Sequence, residues 1–168
     1  TTLAGWLLTT IPDGKRIFTI DNGSRELALV REKDGKVTNS VIHTLTRYSE
    51  NEKQNIDQDM LLDMALRFNP EIICVGEMRS SEAYTAQESA RTGHTVLTTI
   101  HSNSCESTYS RMRTLCKRKY DMDDEVLMDL VTEAFPIVVI TKQLENRKRK
   151  LMEIKEYEIT ADGKRKFN

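Results

Sequence analysis

The chain has 168 residues, 38% hydrophobic and 30% charged, with 25 Lys and Arg against 26 Asp and Glu for a formal charge of −1. That is the size of one α/β domain, and the charge balance argues against a protein built to coat nucleic acid. No run approaches the ~20 consecutive apolar residues of a membrane span, the start from Thr1 to Ile11 carries no basic leader, and Cys74, Cys105 and Cys116 lack close pairing and read as reduced thiols.

Thr1 to Thr10 reads as a helix, followed by the turn signal Pro12-Asp13-Gly14. Arg16 to Ile20 is a short β-rich apolar run, expected as a buried strand ending in Asp21, and Asn22-Gly23-Ser24 breaks it. Residues 27–30 and 37–47 look extended, with a turn at Lys33-Asp34-Gly35 between them. Ser49 to Gln54 is a polar loop. Asn55 is expected to cap the next helix, with Gln58 in capping-box spacing. Met60, Leu61, Met64, Ala65 and Phe68 then repeat at helical spacing, and Pro70 stops the helix.

Ile72 to Val75 is a second buried strand, with Gly76-Glu77 at its carboxyl end. Ser80 is expected to cap a helix whose Ala83, Ala86 and Ala90 form a small-residue face, with Gly93 as its C′ residue. Val96 to Ile100 makes a third strand that ends at His101. Helices over 104–119 and 122–134 and strand-like segments over 136–141 and 151–159 complete the chain, with Arg147 to Lys150 as a charged hairpin turn. Uniformly apolar strands alternating with helices predict a parallel sheet covered on both faces.

Three strands thus end in chemically capable residues: Asp21, Glu77 and His101. Ligands of open parallel sheets sit outside the carboxyl ends of the strands, so the three converge on one candidate site. Ile72-Ile73-Cys74-Val75-Gly76-Glu77 has the form of a Walker B strand, four apolar residues before a carboxylate, and phosphoryl transfer needs a carboxylate there. Thr92 to Ser104 places His94 and His101 at either end of a strand. The first reads as structural and the second as a donor at the nucleotide edge. Arg111 and Arg113 read as a solvated helix face in preference to a reach into a neighbouring subunit. A zinc set of Cys74, Cys105, His94 and His101 is disfavoured, because structural zinc ligands come in close pairs.

The run from Arg67 to Ser104 resembles the secretion-superfamily ATPases of type II and type IV secretion and of type IV and tight-adherence pili. Asn69 to Arg79 looks like their Walker B motif, Thr92 to Ser104 like their His box, and Arg16 to Asn22 with Glu26-Leu27 like their Asp box. Val138 to Glu158 is similar to their closing strands, and Thr1-Thr2-Leu3 through Ile11-Pro12 is similar to the segment just after the Gly-Lys of their P-loop. Two departures stand out: the family usually has Glu where Asp21 stands and Asp at Asn22, and one more residue than expected separates Asp21 from Glu26.

The resemblance implies a RecA-like P-loop NTPase domain with a mostly parallel central sheet, a C-terminal motor domain spanning 1–168 and expected to lack its first strand and P-loop. No Gly-x-x-x-x-Gly-Lys occurs within these residues, so the chain alone is expected to be inactive. The resemblance further implies ATP and Mg²⁺ as cofactors. Glu77, Asp21, His101 and Arg79 are then catalytic; Thr1, Thr2, Glu77, Glu26 and His101 contact the nucleotide; Thr1 and Glu77 hold the metal. It implies a homo-hexamer acting on a platform protein, at the cytoplasmic face of the inner membrane. A nucleic-acid motor of the same broad fold and a non-catalytic assembly partner are the alternatives. The near-neutral charge counts against the first.

Overall fold

Arg16–Asp21 forms strand β1 of the computed structural model, and every residue after Arg16 is buried. A strand buried on both faces belongs in the middle of a sheet. β1 is flanked by β4 (Ser40–Leu45) and β5 (Ile72–Val75), and β5 by β6 (Thr95–Thr98), in the order β4-β1-β5-β6 with every pair parallel. Residues 1–160 and 165–168 are described, and they form two compact units, Thr1–Ile100 and His101–Asn168.

In the first unit the two faces of the sheet are covered by different elements. Helix α1 (Thr2–Thr9) brings Leu8 onto Ile17, Ile72 and Cys74, together with Leu27 and Leu29. On the other face, α2 (Gln58–Phe68) packs against β1 and against α3 (Glu82–Arg91), burying Leu61, Leu62 and Ala65 beside the small residues Ala83 and Ala86. Phe18 meets Phe68 there at a ring separation of 5.8 Å. The expected parallel sheet with two covered faces is therefore present.

Several local expectations give way to tertiary context. Residues 27–30 keep the alternation of a strand, with Leu27 and Leu29 buried and Ala28 and Val30 exposed, yet they join no ladder. Their backbone is tied instead by Asn39, whose side chain donates to Leu29 O and accepts from Arg31 N, both at 2.8 Å. The expected extended run 37–47 divides into β3 (Lys36–Val37) and β4. With β2 (Glu32–Lys33), β3 makes a two-residue hairpin whose Asp34 and Gly35 both have positive φ, 52° and 72°. That is the turn geometry Asp-Gly favours.

Asn55 does not cap α2; Asp57 does, accepting from Met60 N at 2.9 Å, while Asn55 accepts from Ser49 N after a 3-10 turn over Glu52–Gln54. The N-cap of α3 is Ser81, not Ser80, and Glu82 takes the orphan N–H groups of Arg79 and Ser80. Gly93 is the C′ residue, at φ 103°.

The second unit holds α4 (Cys105–Cys116), α5 (Asp124–Ala134) and an antiparallel sheet of β7 (Ile137–Gln143), β8 (Arg149–Ile159) and β9 (Arg165–Phe167), the last of which has no sequence-based counterpart. Tyr109 of α4 anchors it: its hydroxyl donates to Phe135 O at 2.6 Å and its ring meets Tyr157 and Phe167. The 147–150 turn is tighter than expected. Arg147 takes φ 62°, while Arg149 and Lys150 already belong to β8. No helix among the described residues is long and apolar enough to cross a membrane.

All three cysteines are buried and free. Burial pushes the Cys74 and Cys116 thiols up to about 12 and Cys105 up to about 11. The thiolate is the reactive form. A thiol-exchange reagent at pH 8 is therefore expected to leave all three unmodified in the native protein and to titrate all three once it is unfolded; native-state labelling at Cys74 would contradict this packing.

Candidate functional site

Asp21 ends β1 with 1% of its surface exposed. The backbone N–H groups of Glu26 and Leu27 hydrogen-bond to its carboxylate, and Thr46 N donates to its backbone oxygen at 3.0 Å. Across from it, Gly76 N donates to Ile20 O at 2.8 Å. A Cβ at Gly76 would stand 2.9 Å from Asp21 Oδ1 and 3.3 Å from Ile20 O, so the carboxylate lies where any other side chain would be. Burial raises the Asp21 carboxyl above the ordinary carboxylate range and Glu26 adds to this; the Glu26 and Leu27 N–H groups and His43 oppose it. Oδ2 has no hydrogen-bond partner among the described residues.

Glu77 follows β5 by two residues and is held from three sides. Gln58 Nε2 at the start of α2 donates to its backbone oxygen at 2.9 Å. Thr99 donates its hydroxyl to Gly76 O at 2.5 Å and accepts Met78 N at its own carbonyl at 2.9 Å. The Glu77 carboxylate pairs with the Arg79 guanidinium. That hydrogen bond, with Glu26 and Glu82 nearby, holds Arg79 firmly protonated. Glu26 in turn accepts from the Thr1 hydroxyl at 2.6 Å. Thr1, Thr2 and Glu26 line an open cleft of about 470 Å³ beside Gly5 and Leu27.

Thr1, Thr2, Asp21, Glu26, Glu77 and Arg79 are thus gathered at the carboxyl edge of the parallel sheet, next to the first turn of α1. His101 opens the second unit and is exposed there. His94 has the structural role expected of it, its Nδ1 sharing a 2.8 Å hydrogen bond with Pro70 O. Arg113 pairs with Asp124 across α4 and α5 at 3.2 Å, joined by Lys117. No group of three or more His, Cys, Asp or Glu able to hold a metal ion occurs among the described residues.

Gln58, Gly76, Thr99 and His43 were not read from the sequence as site residues. Gly76 alone carried a legible signal, a glycine between an apolar strand and an acid, where close backbone approach is a standard reason for glycine.

The first unit is an open α/β fold with carboxylates at the carboxyl edge of its parallel sheet, the edge at which such sheets bind ligands. The family described as "Type II/IV secretion system protein" matches residues 1–162, and the chain belongs to it. Among curated relatives, it is 31% identical to the competence protein ComGA of Halalkalibacterium halodurans over 62% of this chain and 33% of ComGA. It is 26% identical to protein VirB11 of Rhizobium radiobacter over 99% of this chain and 46% of VirB11. The crystal structure of the VirB11 ATPase from the Brucella suis type IV secretion system shares the fold, with a TM-score of 0.74 at 24% identity over 91% of this chain and 43% of that one. The chain therefore spans less than half the length of these relatives.

The raised carboxyl of Asp21 has a consequence for stability. A carboxyl raised above its unfolded value contributes stability at low pH that is lost as pH rises through its folded-state value, so at neutral pH the charged Asp21 is a burden on the fold. Asp21→Asn is expected to melt higher than the wild type at pH 7, with the gap closing as pH falls below the carboxylate range. Thermal unfolding across a pH series measures it, and a lower melting point at neutral pH would contradict the assignment.

Proposed function

We propose that this chain is the ATP-hydrolysing motor domain of a ring-forming secretion or pilus-assembly ATPase, one C-terminal RecA-like domain over residues 1–168 that works as a homo-hexamer. The observation that carries the reading is the linked set Thr1, Glu26, Arg79 and Glu77 beside the sealed Asp21, in a chain of the type II/IV secretion family. In this reading a P-loop with its glycines and Lys precedes Thr1 in the complete protein, as the likeness of Thr1 to Pro12 to the segment after that loop implies.

The residues suit Mg²⁺ and a nucleoside triphosphate. The Thr1 hydroxyl and Glu77 carboxylate are oxygen donors of the kind hydrated Mg²⁺ takes, and Asp21 Oδ2 is a sealed acceptor with no partner among the described residues. Bound Mg²⁺ supplies neutralisation of charge on the phosphates. Thr1 and Glu77 would hold the metal and its waters, with Glu26 orienting the Thr1 hydroxyl and Arg79 the Glu77 carboxylate. Thr2 lines the cleft beside Thr1. Asp21 would accept a hydrogen bond from the attacking water and orient it, and the family resemblance alone would give His101 a response to the γ-phosphate. Loss of that phosphate alters contacts between subunits and so drives a platform protein from the cytoplasmic face of the inner membrane. Support for this setting comes from relatives named for secretion and competence.

The test is Mg²⁺-dependent ATP hydrolysis by the protein carrying the residues upstream of Thr1, beside the same protein with Glu77→Gln. Catalysis of this kind is positioning plus electrostatics, and turnover is expected to fall about 100-fold or more with no loss of melting temperature. Equal turnover in the two, or a folded wild type that binds no ATP, would sink the reading.

A further inference from the structure

His43 lies in the edge strand β4, directly across from Thr19 in the parallel register. Thr19 Oγ1 and His43 Nδ1 share a 2.7 Å hydrogen bond, so the two side chains occupy one face of the sheet. Asp21 is two residues beyond Thr19, and the two-residue period of a strand puts its carboxylate on that same face. His43 Nε2 and Asp21 Oδ2 are both sealed from solvent, and neither has a hydrogen-bond partner among the described residues. Unmet buried polar atoms cost stability, so their retention side by side on neighbouring strands calls for an account.

The two groups also act on one another. The carboxylate favours a protonated ring, and the ring favours an ionised carboxylate, while burial drives each toward its neutral form. The other charges facing the pair are Arg25, which opposes protonation of the ring, and Glu26, which opposes ionisation of the carboxyl. Cys74, on β5, faces them as a neutral thiol.

We propose that His43 is a positioning residue for Asp21, fixed by Thr19 so that its imidazole governs the charge carried by that carboxylate. The inference rests on the reading of Asp21 as the group that orients the attacking water. In a sealed environment a lone carboxylate is costly to ionise. A neighbouring ring that gains a proton as the carboxylate loses one keeps the pair neutral overall, and the two titrate as a unit. Thr19 fixes the ring, since its hydroxyl shares the hydrogen bond at Nδ1 and leaves Nε2 without a partner among the described residues.

The experiment has one arm that needs no turnover. The imidazole resonances of His43, assigned by their loss in His43→Asn, are titrated by NMR in the wild type and in Asp21→Asn. The expected result is a His43 midpoint lower by about half a pH unit or more in Asp21→Asn, because the favourable carboxylate is gone. An unchanged midpoint overturns the proposal. In the second arm, kcat for ATP hydrolysis is followed against pH in the protein carrying the residues upstream of Thr1, as wild type and as His43→Asn. The acid limb is expected to move to higher pH, since Asp21 loses the neighbour that favours its charge. A kcat lowered equally at every pH assigns His43 a structural role and overturns the proposal. A coupled pair in a wild type that does not hydrolyse ATP supports the pairing and sinks the hydrolysis reading alone.

Discussion

The candidate site depends on one close approach, that of the Asp21 carboxylate to the backbone of Gly76. β1 and β5 are adjacent parallel strands, and Gly76 N continues their ladder onto Ile20 O. The carboxylate crosses the place where a side chain at 76 would begin. This contact sets how far Asp21 stands from the turn that carries Glu77 and Arg79, and it contributes to the burial of the carboxylate. The same geometry therefore produces both the position of the acid and its reluctance to ionise.

A second constraint keeps the Glu77 turn rigid. Its backbone receives hydrogen bonds from Gln58 of α2 and Thr99 past the end of β6, so elements on both sides of β5 fix it. A side chain proposed to act on phosphate needs this kind of support, because catalysis by positioning is sensitive to small misplacements. The ion pair of Glu77 with Arg79 is largely exposed at its arginine and contributes little stability by itself. Its value is in orientation.

The second unit is organised on different terms. An aromatic cluster of Tyr109, Tyr157 and Phe167 joins α4 to an antiparallel sheet, and the Tyr109 hydroxyl is satisfied at Phe135 O. The Arg113–Asp124 and Lys117–Asp124 pairs tie α4 to α5 at the surface, where screening limits their worth. His101 begins this unit, whereas the linked carboxylates belong to the first.

By itself the sequence determined the elements whose signals are local: the apolar runs of β1 and β5, the helical spacing of α2, the Asp34-Gly35 turn and the glycine after α3. It also named Asp21 and Glu77 at strand ends, while Thr1, Glu26 and Arg79 came from the resemblance to the secretion-superfamily motifs. Tertiary structure alone decided the rest. Asn55 and Asp57 are both competent caps, and the choice fell to Asp57 because the chain first turns through Glu52–Gln54. Leu27 and Leu29 alternate like a strand but meet α1 and the sheet face, where no ladder partner is offered. His43 acquires its meaning only from Thr19, 24 residues away in sequence, and the carboxylate that approaches Gly76 belongs to Asp21, 55 residues away. No local pattern encodes such a contact, since it exists only once the parallel strands are in register.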